Sequence, residues 1–335
     1  MKKALKIAIP VIAILVVIGT IVAGAVAYRT VFGSIEKIDN ENIEVVAPEM
    51  EDFEKDEKAD SEESNKVAPE SVQLETVPLT NDDKLINILL VGQDRRPGEG
   101  RQRSDSMILC SYNTKTNELS LISFLRDLYV KIPGGYSDNR LNAPYAFGGF
   151  PLLYETMKEN FGITIDGGVE VDFDGFVEIV DLLGGVEVHL TADEAYEVNK
   201  ECREYSYCEE GKNHLNGEEA LSYARIRSID NDFSRTNRQR TVLLKLYEKA
   251  RKSSPDTLMK LFKKALSMVT TDMSDAEMIS IATKFLPKLA TVRINTYAIP
   301  GKENYENATI NGMSVLVPDL PAIRERIEDE YLPLG

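Results

Sequence analysis

Three short stretches of the chain set aspartate beside arginine. The first runs from Gly92-Gln93-Asp94-Arg95-Arg96 to Arg101-Gln102-Arg103-Ser104-Asp105. The second is Phe124-Leu125-Arg126-Asp127, directly after an apolar run. The third is Arg225-Ile226-Arg227, followed by Asp232, Arg235, Arg238 and Gln239. On a helix, positions 235, 238 and 239 are i, i+3 and i+4 and share one face. Arginine suits phosphate because its planar fork donates two parallel hydrogen bonds and keeps its charge. Carboxylates beside arginines also suit a hard divalent cation, which takes oxygen ligands and shares them with phosphate. Together these residue types describe a diphosphate site, with metal on one side and guanidinium groups on the other. The alternative is simple pairing of the same charges on the surface.

Other chemistries are poorly supplied. Two histidines preclude a His-rich zinc site, and neither suits a catalytic triad. His189 lies in the alternating run Val186–Leu190 and reads as a strand residue, while His214 falls in a Gly/Asn-rich turn. No Walker loop or glycine-rich nucleotide motif is present. Of the three cysteines, Cys110 reads as a buried thiol, and Cys202 and Cys208 could close a short-loop disulfide.

The charged stretches sit at the ends of expected elements, where loops carry function. Strands are predicted at Ile86–Val91, Met107–Asn113, Glu118–Phe124, Val186–Leu190, Val292–Ile299 and Ser314–Val317, with a hairpin turn at Thr114–Asn117. Helices are predicted at Pro151–Asn160, Phe173–Leu183, Gly217–Ala224, Arg235–Lys252, Leu258–Met268 and Asp275–Leu289. The mixture implies an α/β or α+β domain with a central mixed sheet flanked by helices.

The chain has 335 residues and a net charge of −16, unevenly spread. Residues 1–35 hold four basic residues and no acid, whereas residues 36–83 hold 17 acidic and four basic residues. An acidic chain without a basic recognition helix is a poor partner for nucleic acid. Ile7–Ala27 is uncharged and, as a helix, would rise about 30 Å, enough to span a bilayer. Residues 1–6 with Lys2, Lys3 and Lys6 would then be cytoplasmic, 7–28 a single-pass anchor in the cell membrane, and the remainder extracytoplasmic. A cleaved signal peptide is the competing reading, since Ala23-Gly24-Ala25 and Ala25-Val26-Ala27 resemble cleavage sites. Residues 29–83 read as an acidic disordered linker that could buy a reach of roughly 40 Å. The catalytic domain is expected at 84–325, with a C-terminal tail at 326–335.

In order along the chain stand Asn87–Asp94, Arg103-Ser104-Asp105-Ser106-Met107, Ser123–Asp127, Arg140-Leu141-Asn142, Tyr145–Gly149, Val171-Asp172-Phe173, Leu183–Val186, Ala220–Arg227 and Arg235–Gln239. This series resembles the LytR–CpsA–Psr family of cell-wall glycopolymer transferases over roughly residues 85–320. The resemblance implies an extracytoplasmic domain with an apolar pocket for a polyprenyl tail, for which Phe173–Leu183 and Val242–Leu246 offer lining. It implies transfer of a glycopolymer such as teichoic acid or capsular polysaccharide from a polyprenyl-pyrophosphate carrier to a peptidoglycan sugar hydroxyl. By motif match, Asp94 and Asp105 would hold Mg²⁺, with Mn²⁺ as a substitute, and act with Arg126 in catalysis. Arg103, Arg126, Arg225, Arg227, Arg235 and Gln239 would grip the pyrophosphate, with a contribution from Arg140. The family often has His-Ala where this chain has Ala143-Pro144. Water in place of the sugar hydroxyl would make the protein a hydrolase, and a site without turnover would make it an envelope regulator or lipid-binding module.

Overall fold

The computed structural model describes residues 36–41, 43–50, 53, 55–56, 66–72, 74, 84–93, 101–171, 173–202, 207–250, 252–253, 269–285, 288 and 291–332. The expected membrane segment, Asp94 and the helix expected at Leu258–Met268 lie outside these residues.

Seven strands form the central sheet in the order β1 (Glu36–Lys37), β10 (Val269–Thr271), β7 (Gly167–Val171), β2 (Leu85–Gln93), β3 (Ser104–Asn113), β4 (Glu118–Phe124) and β11 (Arg293–Ile299). The sheet is mixed: β2 pairs antiparallel with β3 and parallel with β7, and β11 runs parallel to β4. The apolar run in β2 is continuous because both faces are covered. Ile86, Ile88 and Leu90 point into one core, and Leu89 and Val91 into the other.

The first core is closed by α2 (Phe173–Leu182), α3 (Ala192–Glu201), α4 (Gly217–Arg225), α5 (Asp232–Ala250) and α6 (Asp275–Phe285), together with the hairpin of β8 (Val186–Leu190) and β9 (Gly211–Leu215). The second is closed by α1 (Ala143–Phe161) and α7 (Leu320–Arg326). The α/β architecture expected from the sequence is therefore the one observed. Val242 and Leu246 are fully packed in the first core.

Several elements are longer than their patterns suggested, or were not expected. α1 begins at Ala143-Pro144, with proline in the first turn where its missing N–H is harmless. It bends at Gly148-Gly149, where Gly149 has φ of 62°. The short pair β5 (Tyr129–Val130) and β6 (Asn139–Arg140) and the hairpin of β12 (Tyr305–Ile310) and β13 (Met313–Pro318) carry weak or broken alternation. α3 was also unexpected, although Thr191 and Glu194 form a reciprocal capping box at its start. Cys202 and Cys208 are present as thiols, with Cys202 Sγ 3.5 Å from the Ser222 hydroxyl.

Two expected boundaries are corrected. The acidic segment is not a spacer throughout: β1 joins the main sheet, Lys66 bridges to Thr309, and Asp56 pairs with Arg140 and accepts from the Ser314 amide at 2.7 Å. Phe53, Val67, Val72 and Leu74 pack on the β12–β13 hairpin, so its scattered apolar residues find a partner surface that composition does not reveal. At the other end, α7 passes into a π-helical turn, Ile327–Tyr331, whose Ile327 and Tyr331 are buried. Residues 326–332 thus belong to the domain.

Candidate functional site

The three Asp/Arg stretches meet at one end of the sheet. The register of β2 on β3 pairs Gly92 with Ser106 and then Gln93 with Ser104, so Asp105 is the extra residue of a β-bulge. A bulge releases its residue from the ladder and re-aims the side chain. Asp105 Oδ1 accepts from Arg126 Nη1 and from Arg227 Nη2, both at 2.8 Å. Arg126 lies just past β4, held by a hydrogen bond from the Asn142 amide to its carbonyl, and Arg227 follows the C-terminal end of α4.

Burial alone would raise the Asp105 pKa, but the Arg227 and Arg126 guanidinium groups hold it below the usual carboxylate value. Asp127 behaves oppositely. Burial and a hydrogen bond with Asp232 raise its pKa, while Asp232 is lowered by that same bond together with Arg235 and other guanidinium groups, against its own burial. Asp127 is thus the more readily protonated of the two, and Asp232, beside Arg235, the more readily ionised.

Arg235, on the first turn of α5, is only 2% exposed and forms an ion pair with Asp232. None of its three guanidinium nitrogens completes a hydrogen bond among the described residues. Burial, with Arg227 and Arg126 nearby, pushes its pKa down to about 10. Arg225 ends α4 with its guanidinium 4.3 Å from the centre of the Phe173 ring, a cation–π contact. Gln239, one turn beyond Arg235, accepts a hydrogen bond from the Ser106 hydroxyl at 3.0 Å.

A cavity of about 410 Å³ opens among Asp105, Ser106, Phe173, Arg225, Arg227, Arg235 and Gln239. Four guanidinium groups, those of Arg126, Arg225, Arg227 and Arg235, gather around Asp105 and Asp232. The rest of the cavity lining carries Lys200 and the carboxylates of Asp174, Glu197, Glu201 and Glu218.

Six of the expected site residues are thus brought together: Asp105, Arg126, Arg225, Arg227, Arg235 and Gln239. Asp94 lies outside the described residues. Arg103 is not among the residues that line the cavity; its guanidinium lies 5.6 Å from the centre of the Phe147 ring. Arg140 is only 3% exposed and turned away, its guanidinium bound to Asp56, Asp127 and the Ser314 carbonyl. That corrects the expectation that it contacts the pyrophosphate: it braces Asp127 from behind. Asp127 and Asp232 stood in the Asp/Arg stretches, and Ser106 and Phe173 in the motifs of the family resemblance, but none of the four was given a role at the pyrophosphate from the sequence.

The profile of the LytR_cpsA_psr family matches residues 46–329. The chain belongs to this family. Among its relatives, Biofilm regulatory protein A of Streptococcus mutans is 35% identical over 252 residues, a match covering 70% of this chain and 60% of that protein. The polyisoprenyl-teichoic acid–peptidoglycan teichoic acid transferase TagV of Bacillus subtilis is 33% identical over 265 residues, covering 75% of this chain and 66% of that protein. The chain therefore spans a little under two thirds of these two relatives. Among solved structures, protein gbs0355 of Streptococcus agalactiae superposes with a TM-score of 0.63 at 28% identity, covering 74% of this chain and 88% of that one. TagT bound to LIIa-WTA superposes at 0.60 with 25% identity, covering 74% and 91%. The LytR–CpsA–Psr chain described here shares with these structures its central mixed sheet flanked by helices.

Proposed function

We propose that this LytR–CpsA–Psr protein transfers a wall glycopolymer from a polyprenyl-pyrophosphate carrier to a peptidoglycan sugar hydroxyl. The observation that carries this reading is Arg235, a buried guanidinium that is ion-paired with Asp232 yet completes no hydrogen bond among the described residues, and that lines a cavity with Arg225 and Arg227. A buried charge without hydrogen-bond partners is costly, and a diphosphate would supply them. The names of the relatives agree: TagV is a teichoic acid transferase and TagT is bound to LIIa-WTA.

The sugar hydroxyl attacks the phosphorus that carries the glycan and gives up its proton. The bridging P–O bond breaks, polyprenyl monophosphate leaves, and the glycan phosphate remains as a phosphodiester on the new oxygen. Arg225, Arg227 and Arg235 neutralise oxygens whose charge grows as that bond breaks, and Gln239 and Ser106 orient the group. Arg126 acts through Asp105, holding the carboxylate that in turn fixes Arg227. Held ionised by two guanidinium groups, Asp105 is a weak base.

A divalent cation fits this donor set, because Asp105 meets both arginines through Oδ1 and leaves Oδ2 without a donor among the described residues. Mg²⁺ or Mn²⁺ would rest on Asp105, with Asp94 as second ligand, and would supply charge neutralisation at the diphosphate. The uncharged run at 7–28, with its basic leading flank, supports a single-pass anchor that keeps the domain at the outer face of the cell membrane, beside its lipid donor.

The test incubates the full chain with a polyprenyl-pyrophosphate-linked glycan, peptidoglycan oligomer and Mg²⁺. Glycan joined to peptidoglycan is the expected product. Free phosphoglycan alone would assign hydrolysis instead, and no turnover despite tight donor binding would assign a lipid-binding regulator.

A further inference from the structure

A second cavity, of about 620 Å³, lies on the opposite side of α5. Its volume falls within the roughly 300–1,000 Å³ of small-molecule sites. Phe233, Asn237 and Arg240 of α5 stand at i, i+4 and i+7 and line it from the helix. Tyr297 of the edge strand β11 lines it from the sheet, with Lys302 and Arg326 nearby.

Arg240 is the anomaly. It is 8% exposed, and neither Nε nor Nη1 has a hydrogen-bond partner among the described residues. Among the described residues no carboxylate pairs with it, and burial alone pushes its pKa down to about 10. The neighbouring cations differ. Arg238 pairs with both Glu194 and Asp230, which also line the cavity, and Arg326 pairs with Glu330 at 3.1 Å. Among the described residues nothing offsets the desolvation of Arg240, and a bound anion would do so.

The walls indicate what carries that group. Tyr297 stacks on Tyr331 at 4.2 Å, and Phe233 packs against Tyr305 at 5.6 Å, so ring systems fixed by their neighbours line the cavity. Such rings present flat apolar surface with polar edges. The C–H face of a pyranose packs on such a surface while its hydroxyls reach groups such as the Asn237 amide. We propose that this cavity is a second anion site, separate from the Arg235 cavity, and that it takes a sugar bearing a carboxylate or a phosphate. The anion meets Arg240, Lys302 strengthens the field at the mouth, and the ring packs against the aromatic side chains. The inference rests on Arg240 and its cavity and stands whether or not the transfer reaction does.

Calorimetric titration of the full chain in detergent, in an Arg227→Gln background that weakens the first cavity, tests it with three probes. These are N-acetylmuramic acid, N-acetylglucosamine 1-phosphate and neutral N-acetylglucosamine. One or both anionic sugars should bind at least tenfold more tightly than the neutral one, and which does so distinguishes a carboxylate source from a phosphate source. Arg240→Met should abolish that preference and raise the melting temperature of the unliganded protein, and the exposed change Lys302→Gln should weaken binding several-fold. Equal binding of the three probes, no binding of either anionic sugar, undiminished binding by Arg240→Met, or a melting temperature lowered by that change would each overturn the proposal.

Discussion

Arg235 and Arg240 are five residues apart on one helix and lie about 140° apart around its axis. Both are buried, and both have pKa values pushed down to about 10. Their surroundings differ. Arg235 has Asp232 beside it and two more arginines close by, so its charge is partly balanced. Arg240 has no counter-charge at all among the described residues. Burial of a guanidinium does not by itself mark a site; what matters is how much compensation the fold supplies and how much it leaves to a ligand.

The largest effect is expected at the partly balanced cluster. Arg235→Gln should lower glycan transfer by about 10²–10³-fold, or about 2.7–4 kcal/mol of transition-state stabilisation, as measured by single-turnover product formation. Asp105→Asn should lower it by about 1.5–3 kcal/mol, because Arg126 and Arg227 both lose their charged acceptor. Stability should separate the two arginines in the other direction. Arg240→Met should raise the unfolding free energy by about 1–3 kcal/mol, whereas Arg235→Met should raise it less, since Asp232 is then left buried. Equal gains in urea titrations would erase the distinction.

A further contrast lies in pH. Asp105 has a lowered pKa in the folded state, so its contribution to stability is present above the ordinary aspartate range and is lost as pH falls through the folded value. Asp127 has a raised pKa, so its contribution is full in acid and is lost as pH rises through the raised value. Unfolding midpoints followed against pH should show Asp105→Asn flattening the acid limb and Asp127→Asn flattening the limb toward neutrality. The smallest effect is Phe173→Leu, which removes the ring under Arg225. It should weaken donor binding by about 0.5–1 kcal/mol.

The strands of the sheet centre were legible because β2, β3 and β4 are apolar on both faces, a local pattern that needs no partner to be seen. β12 and α3 were missed for the converse reason: their burial is one-sided and interrupted. At the site, the residue types and their grouping at element ends pointed to an anion. Arg140 shows where that reasoning fails, since its guanidinium is taken by Asp56 from a segment that reads as solvated tail.

Composition and order along the chain pointed to an arginine-rich cluster suited to an anion, and were enough for a mixed α/β domain and a charge-free leading segment, because side-chain chemistry and apolar runs are properties of neighbouring residues. Tertiary structure decided which charges meet. The bulge at Asp105, the pairing of Asp127 with Asp232, the docking of the acidic segment and the isolation of Arg240 all depend on residues distant in sequence, whose approach is set by packing of the whole sheet and its helices.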